Sequence, residues 1–367
     1  MKISRIDVFQ KTYTLVEKVY AWSGGHFVNS VDSTIVKITT DEGLSGYGEC
    51  CPLGPAYMAA YAAGVPTGIR ELGPELIGLD PLQVGAVNTV MDTTFYGHSY
   101  VKSAIDIACW DILGKATGRP VSSLMGARYV DDFPIYRAVS QAEPQEMAEK
   151  VTGYRAEGYH RFQLKVGSTP ERDVAMVRAV LGVVEPGEIV VADANTGWNL
   201  HQASRVVNAL SGEEVYIEQP CSTLAECLSI RRRTSLPMVL DEVITGVGPF
   251  LEAYGQSAMD VINIKISRVG GLTKACQIRD LAQVLGVAMT LEDSSGGDIT
   301  TAAIAHMVAS TRPEFVFTTT VFSDWYDEGL CPDAPGIEGG RVSVPQGPGL
   351  GVTVDEERLG PPLFTLR

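Results

Sequence analysis

The sequence predicts an α/β fold, a modified TIM-type (β/α) barrel carrying an α+β capping domain, and two observations carry that prediction. From Phe133 onward, short β-rich runs, polar loops and amphipathic helical stretches recur as repeated units. Within that stretch Lys165, Asp193, Glu218, Asp241 and Lys265 each stand at the polar end of an apolar run, and they lie 28, 25, 23 and 24 residues apart. That interval is the length of one strand, one helix and two loops. The five side chains are therefore expected at the C-terminal ends of successive parallel strands, the face on which such barrels carry their chemistry.

Taken in order, the first 50 residues alternate apolar and polar positions in two runs, ISRIDVFQKTYTL and DSTIVKITTDEGLSGYGE, the second broken by the turn signal Asp41-Glu42-Gly43. They predict a small antiparallel sheet. Between them, VEKVYAWSGGHFVN has neither strand nor helix periodicity and reads as a flexible loop, a candidate lid. In SYVKSAIDIACWDILGKATG the residues Val101, Ala104, Ile105, Ala108 and Ile112 follow helical spacing, with Gly114 and Gly118 at the end. The eight barrel strands are read as FPIYRAV, RFQLKV, IVVADAN, VYIEQP, MVLDE, VINIKI, AMTLED and FVFTTTVF. The expected division is a capping domain over 1–128, a barrel over 129–335, and a Gly- and Pro-rich return to the cap over 336–367.

Bulk properties permit this fold without requiring it and point to a folded globular protein. With 367 residues and 45% hydrophobic content the chain has material for a sizeable core. A formal net charge of −15 disfavours nucleic acid or an anionic membrane as partner. The start MKISRIDVFQ runs straight into a strand pattern, and no apolar stretch is long enough to span a membrane, so a cytoplasmic location is expected. Seven scattered cysteines without a CxxC pair read as reduced core thiols, and five dispersed histidines give no metal-ligand pattern.

Each carboxylate alone has an ordinary reading, since an acid after a strand often caps the next helix. Together, Asp193, Glu218 and Asp241 would set mutually repelling charges around one barrel mouth, which is costly unless a cation neutralises them. An all-oxygen donor set points to a hard divalent ion, Mg²⁺, one per subunit. Lys165 and Lys265 flank the metal strands. Burial and a nearby cation would push their pKa down toward roughly 7 to 8, the range that suits proton transfer.

At these residues the chain resembles the enolase superfamily, in its mandelate racemase and muconate lactonizing branch, over nearly its whole length. The resemblance implies that Asp193, Glu218 and Asp241 hold Mg²⁺, with Asn195 and Glu242 as polar support, and that Lys165 and Lys265 are the acid/base pair on the second and sixth strands. One departure is Gln163, which stands where a lysine is commoner and cannot lower the pKa of Lys165 electrostatically. The shared chemistry implied is abstraction of the proton α to a carboxylate.

Two lysines on opposite faces suit either epimerisation or anti elimination. The segments LEDSSGGDITTAAIAHMVA, CCPLGPAY and GPGLGV look most like the group acting on proline derivatives, which includes cis-3-hydroxy-L-proline dehydratases and hydroxyproline betaine 2-epimerases. The expectation is dehydration of cis-3-hydroxy-L-proline, with epimerisation of a proline betaine as the runner-up and a non-catalytic binder on the same fold as the rival. Glu292 or Asp293 is expected to accept hydrogen bonds from a ring NH₂⁺, and Trp325 and Tyr326 to offer aromatic faces. Tyr57 and Trp22 are placed on loops over the mouth, where packing is an equal reading for Trp22. A small carboxylate substrate and self-association into a homo-oligomer complete the expectations.

Overall fold

A computed structural model describes residues 1–367. The alternating N-terminal runs form antiparallel strands Ile3–Thr14, Ser30–Thr40 and Ser45–Cys50, joined at the outer edge by the C-terminal strand Phe364–Leu366. Register sets Ile6 opposite both Ile38 and Leu366 and Val8 opposite both Val36 and Phe364, which gathers an apolar patch on one face. Helix Ser99–Thr117 packs on that sheet and ends at Gly118, whose φ of 67° belongs to the left-handed region. Its approach is close. A Cβ at Gly48 would stand 1.8 Å from the main-chain oxygen of Ala104, so only glycine fits there.

The expected barrel is present as one curled sheet of eight parallel strands in sequential order. They are Arg137–Val139, Arg161–Lys165, Ile189–Asp193, Tyr216–Glu218, Met238–Leu240, Val261–Lys265, Ala288–Glu292 and Val316–Thr319, numbered below as barrel strands one to eight. The edges meet where the Tyr136 N–H donates to the Thr319 carbonyl at 2.8 Å. The run FPIYRAV divides: Asp132–Pro134 pairs instead with Arg341–Ser343 in a separate antiparallel sheet, and only its second half enters the barrel. The proline at 134 lacks a donor and suits such an edge position.

Several features join the cap to the barrel. Glu49, buried in the cap sheet, accepts from the Tyr13 and Ser33 hydroxyls and from the backbone N–H groups of Gly297 and Thr300 at the barrel's last helix. The segment expected as a flexible loop is a short hairpin, Tyr20–Ala21 against Phe27–Val28, lying over the barrel mouth. Its tip is anchored, with the Ser23 hydroxyl donating to the Asn195 carbonyl at 3.1 Å. All seven cysteines are buried and free of disulfides. No helix is long and apolar enough to cross a membrane.

Candidate active site

Side chains two apart on a strand share a face, and this periodicity builds the site. Val191, Val239 and Val261 pack as an apolar layer inside the barrel. Two residues beyond the first two stand Asp193 and Asp241; beyond the third come Asn263 and then Lys265. On strand two, Gln163 and Lys165 share the inner face, and on strand four Glu218 follows Tyr216. Register aligns Lys165 with Asp193 and Asp193 with Glu218. All are deeply buried, with Lys165 and Lys265 each 4% exposed.

Most of the polar groups bond to one another. Lys165 Nζ donates to Asp193 Oδ2 at 2.5 Å, and Lys265 Nζ to Asp241 Oδ2 at 2.9 Å. Glu218 takes Gln163 Nε2 at 2.8 Å and Asn263 Nδ2 at 3.1 Å, one on each oxygen. Arg268, on the turn after strand six, donates from Nη1 to the carboxylate and main-chain oxygens of Asp241. Tyr57 from the capping domain reaches in, donating to Asp241 Oδ2 at 3.2 Å and accepting from Lys265. Asn195 donates to Glu242 Oε1 at 3.2 Å.

Burial and charge act on these groups in opposite directions. Burial alone would lower both lysines, but Asp193 beside Lys165 and Asp241 beside Lys265 outweigh it and hold both ammonium forms well above the usual range. The lowering expected from the sequence combines burial with a bound cation; here the nearest charge to each lysine is a carboxylate. Glu218 is pushed well up by burial and by repulsion from Asp193, Asp241 and Glu292. Glu242 rises to about 8 through burial and the charges of Asp241 and Asp193. Asp241 goes the other way: Arg268 and Lys265 overcome its burial and hold it well below the carboxylate range.

Above these groups lies a cavity into which Lys165, Lys265, Gln163 and Asn195 project. Its roof is aromatic, with Tyr20, Trp22, Tyr57 and Trp325 among the lining residues. Trp325 meets Tyr20 edge-on at 5.1 Å, and Trp22 meets Tyr57 at 6.3 Å. Glu292 and Asp293 also line it. Glu292 accepts from Tyr136 and from Asn263, and Lys265 stands 3.1 Å away. Asp293 spends its oxygens on Ser267 and Ser294, and burial raises its pKa to about 6. Tyr326 stacks on Tyr13 at 4.9 Å and bonds Ser295, so its ring is fixed by packing.

Two family models match the sequence, the mandelate racemase/muconate lactonizing enzyme N-terminal domain over residues 25–126 and the enolase C-terminal domain-like unit over residues 146–358. The chain belongs to this branch of the enolase superfamily. A cis-3-hydroxy-L-proline dehydratase of Roseibium aggregatum is 53% identical over 363 residues, covering 99% of both chains. An N-succinyl-L-Arg/Lys racemase of Bacillus cereus is 31% identical over 98% of this chain and 97% of its own. A crystal structure of a Roseovarius nubinhibens family member complexed with magnesium superposes with a TM-score of 0.96, at 35% identity and complete coverage of both chains.

The donor set suits the magnesium that enzymes of this branch typically use. Asp193, Glu218 and Asp241 are buried oxygen donors whose repulsion is visible in the raised Glu218, and beside them Asn195 Oδ1 and Glu242 Oε2 have no partner. In this arrangement protein cations hold the acids in pairs, and no three acidic, His or Cys side chains converge as a ready ligand group. Several residues of the site escaped the sequence reading: Tyr20, Tyr136, Asn263 and Arg268. Asn263 had a usable signal, since it lies two before Lys265 in VINIKI and so shares its inner face. Tyr20 and Tyr136 had none, because loop and tertiary geometry alone bring them in.

Proposed function

We propose that this protein is a magnesium-dependent dehydratase of cis-3-hydroxy-L-proline, forming Δ¹-pyrroline-2-carboxylate. The observation that carries the reading is the placement of Lys165 and Lys265 on strands two and six of eight, both lining one cavity. Strands four apart face each other across a closed barrel, so a ring between them presents one face to each lysine. The 53% identity to the Roseibium dehydratase supports the same substrate.

In cis-3-hydroxy-L-proline the hydroxyl and carboxylate share a ring face, so the α-hydrogen and the hydroxyl lie trans. One lysine, as the free amine, takes the α-proton. The electron pair left at C2 forms the C2–C3 double bond as the C3–O bond breaks, and the other lysine, as ammonium, protonates the departing hydroxyl to water. The resulting enamine tautomerises to the cyclic imine. When bound by Asp193, Glu218 and Asp241, magnesium supplies fixed positive charge where carboxylate charge develops and offsets the acids that hold both lysines protonated. Gln163 and Asn263 orient Glu218, Asn195 orients Glu242, and Asp293 with Glu292 gives the ring NH₂⁺ a negative wall. Tyr57 and Trp325 exclude water from above.

The test is incubation with Mg²⁺ and cis-3-hydroxy-L-proline, with o-aminobenzaldehyde trapping the imine. The trans-3-hydroxy isomer, with both leaving groups on one face, should react far more slowly. One observation favours a second reading: an aromatic roof also suits a quaternary ammonium. Inversion at C2 of a hydroxyproline betaine, seen by proton NMR while cis-3-hydroxy-L-proline stays intact, would replace the dehydratase by an epimerase.

A further inference from the structure

We propose that Arg137, which does not touch the cavity, is the positioning residue that clamps the aromatic roof over it. The inference rests on the reading of that cavity as the substrate site. Arg137 begins barrel strand one, and its side chain is 14% exposed. Nη2 donates to Glu17 Oε1 and Nη1 to Asp324 Oδ2, both at 2.9 Å. The guanidinium lies within 5.2 to 5.8 Å of the ring centres of Tyr154, Trp325 and Tyr159. The same tyrosines add hydroxyl bonds, Tyr154 to Glu17 at 2.9 Å and Tyr159 to Asp324 at 3.5 Å.

The two carboxylates belong to two separate pieces of the roof. Glu17 lies three residues before Tyr20 in the segment that leads into the hairpin, and Asp324 immediately precedes Trp325. Tyr20 and Trp325 are the rings that meet over the lysine side of the cavity, with Lys165 Nζ 5.9 Å from the Tyr20 ring. A neighbouring cavity is lined by Arg137 and shares Leu15, Tyr20 and Trp325 with the first, so one layer of side chains separates the clamp from the substrate. Glu17 with Arg137 is the only ion pair made by residues 15–28. Otherwise that segment leans on individual bonds such as Val16 N–H to the Trp325 carbonyl and Ser23 to Asn195. A planar fork that binds two carboxylates while stacking on rings is a task for arginine, which lysine performs poorly.

The experiment compares Arg137→Gln, Arg137→Lys and the surface variant Glu17→Gln in the magnesium-loaded enzyme, by hydrogen exchange and by steady-state kinetics. Arg137→Gln should speed exchange in residues 15–28 and 322–327 by about tenfold or more, with the barrel strands unchanged. KM for cis-3-hydroxy-L-proline should rise about tenfold while kcat stays within about threefold, since the clamp acts on capture rather than on chemistry. Glu17→Gln should loosen 15–28 alone, and Arg137→Lys should fall between wild type and Arg137→Gln. Unchanged exchange in Glu17→Gln, or a fall in kcat at unaltered KM in Arg137→Gln, would overturn the proposal. Exchange needs no substrate, so a wild-type enzyme inactive on cis-3-hydroxy-L-proline would sink the reaction assignment and leave the exchange data to judge the clamp.

Discussion

The floor and the roof of the cavity are built on different principles. The floor, Lys165 and Lys265 with Asp193, Glu218 and Asp241 beneath them, stands on five consecutive strands whose register and two-residue periodicity fix every side chain. The roof, Tyr20, Trp22, Tyr57 and Trp325, hangs on loops from the capping domain and the last barrel turn, held by ring contacts and a few hydrogen bonds. Rigid elements hold groups to the precision proton transfer requires, whereas loops can open to admit a substrate. The expectation is that floor substitutions act on kcat and roof substitutions on KM.

The largest effects should come from the floor. Chelation should abolish turnover and Mg²⁺ should restore it; full activity after exhaustive chelation would remove the metal from the scheme. Lys165→Ala and Lys265→Ala should each lower kcat by roughly 10²- to 10⁴-fold. Lys165→Ala also leaves the buried Asp193 without its cation, a loss on the order of 3 kcal/mol or more in the absence of metal, whereas Asp241 keeps Arg268 when Lys265 is removed, so folding is to be checked with Mg²⁺ present. In ²H₂O one of the two variants should still exchange the α-hydrogen without completing elimination. Near wild-type kcat in both would break the floor half of the comparison. Glu218→Gln should sharpen it: weaker Mg²⁺ binding by calorimetry, with the barrel intact by circular dichroism.

The same contrast explains what the sequence made legible. Strand ends are periodic, so the sequence alone places five polar residues at intervals near 25, and the same periodicity puts Asn263 with them. Arg268 was hidden because it lies past the strand, on a turn whose direction the sequence does not encode. The hairpin at Tyr20–Val28 read as a flexible loop because two-residue strands carry no periodicity, and its order comes from docking on distant residues such as Asn195. The direct pairing of each lysine with an acid was hidden for a related reason. The neighbours Asp193 and Asp241 were known as residues, but only the distances of 2.5 and 2.9 Å reveal them as direct partners.

On the roof, Trp325→Ala should raise KM by about tenfold, near 1.4 kcal/mol, through lost contact area and admitted water, and leave kcat within a few-fold. A drop in kcat comparable with that of the lysine variants would mean that Trp325 belongs with the floor.

The smallest effect is expected where roof and floor touch. Ser23 at the hairpin tip rests on Gly167 and Gly197, in the loops that follow strands two and three. A Cβ at Gly197 would stand 2.7 Å from Ser23 Cβ and 2.9 Å from the carbonyl oxygens of Ala194 and Gly167. The serine can move but the two carbonyls are main chain, so Gly197→Ala should cost about 1 to 3 kcal/mol, as overpacking does, and lift the hairpin. The lift should appear as faster proteolysis within residues 15–28 and a KM increase smaller than that of Trp325→Ala. If stability falls but KM and proteolysis stay at wild type, the hairpin is held by something other than this contact, and the separation of a fixed floor from a docked roof fails at its seam.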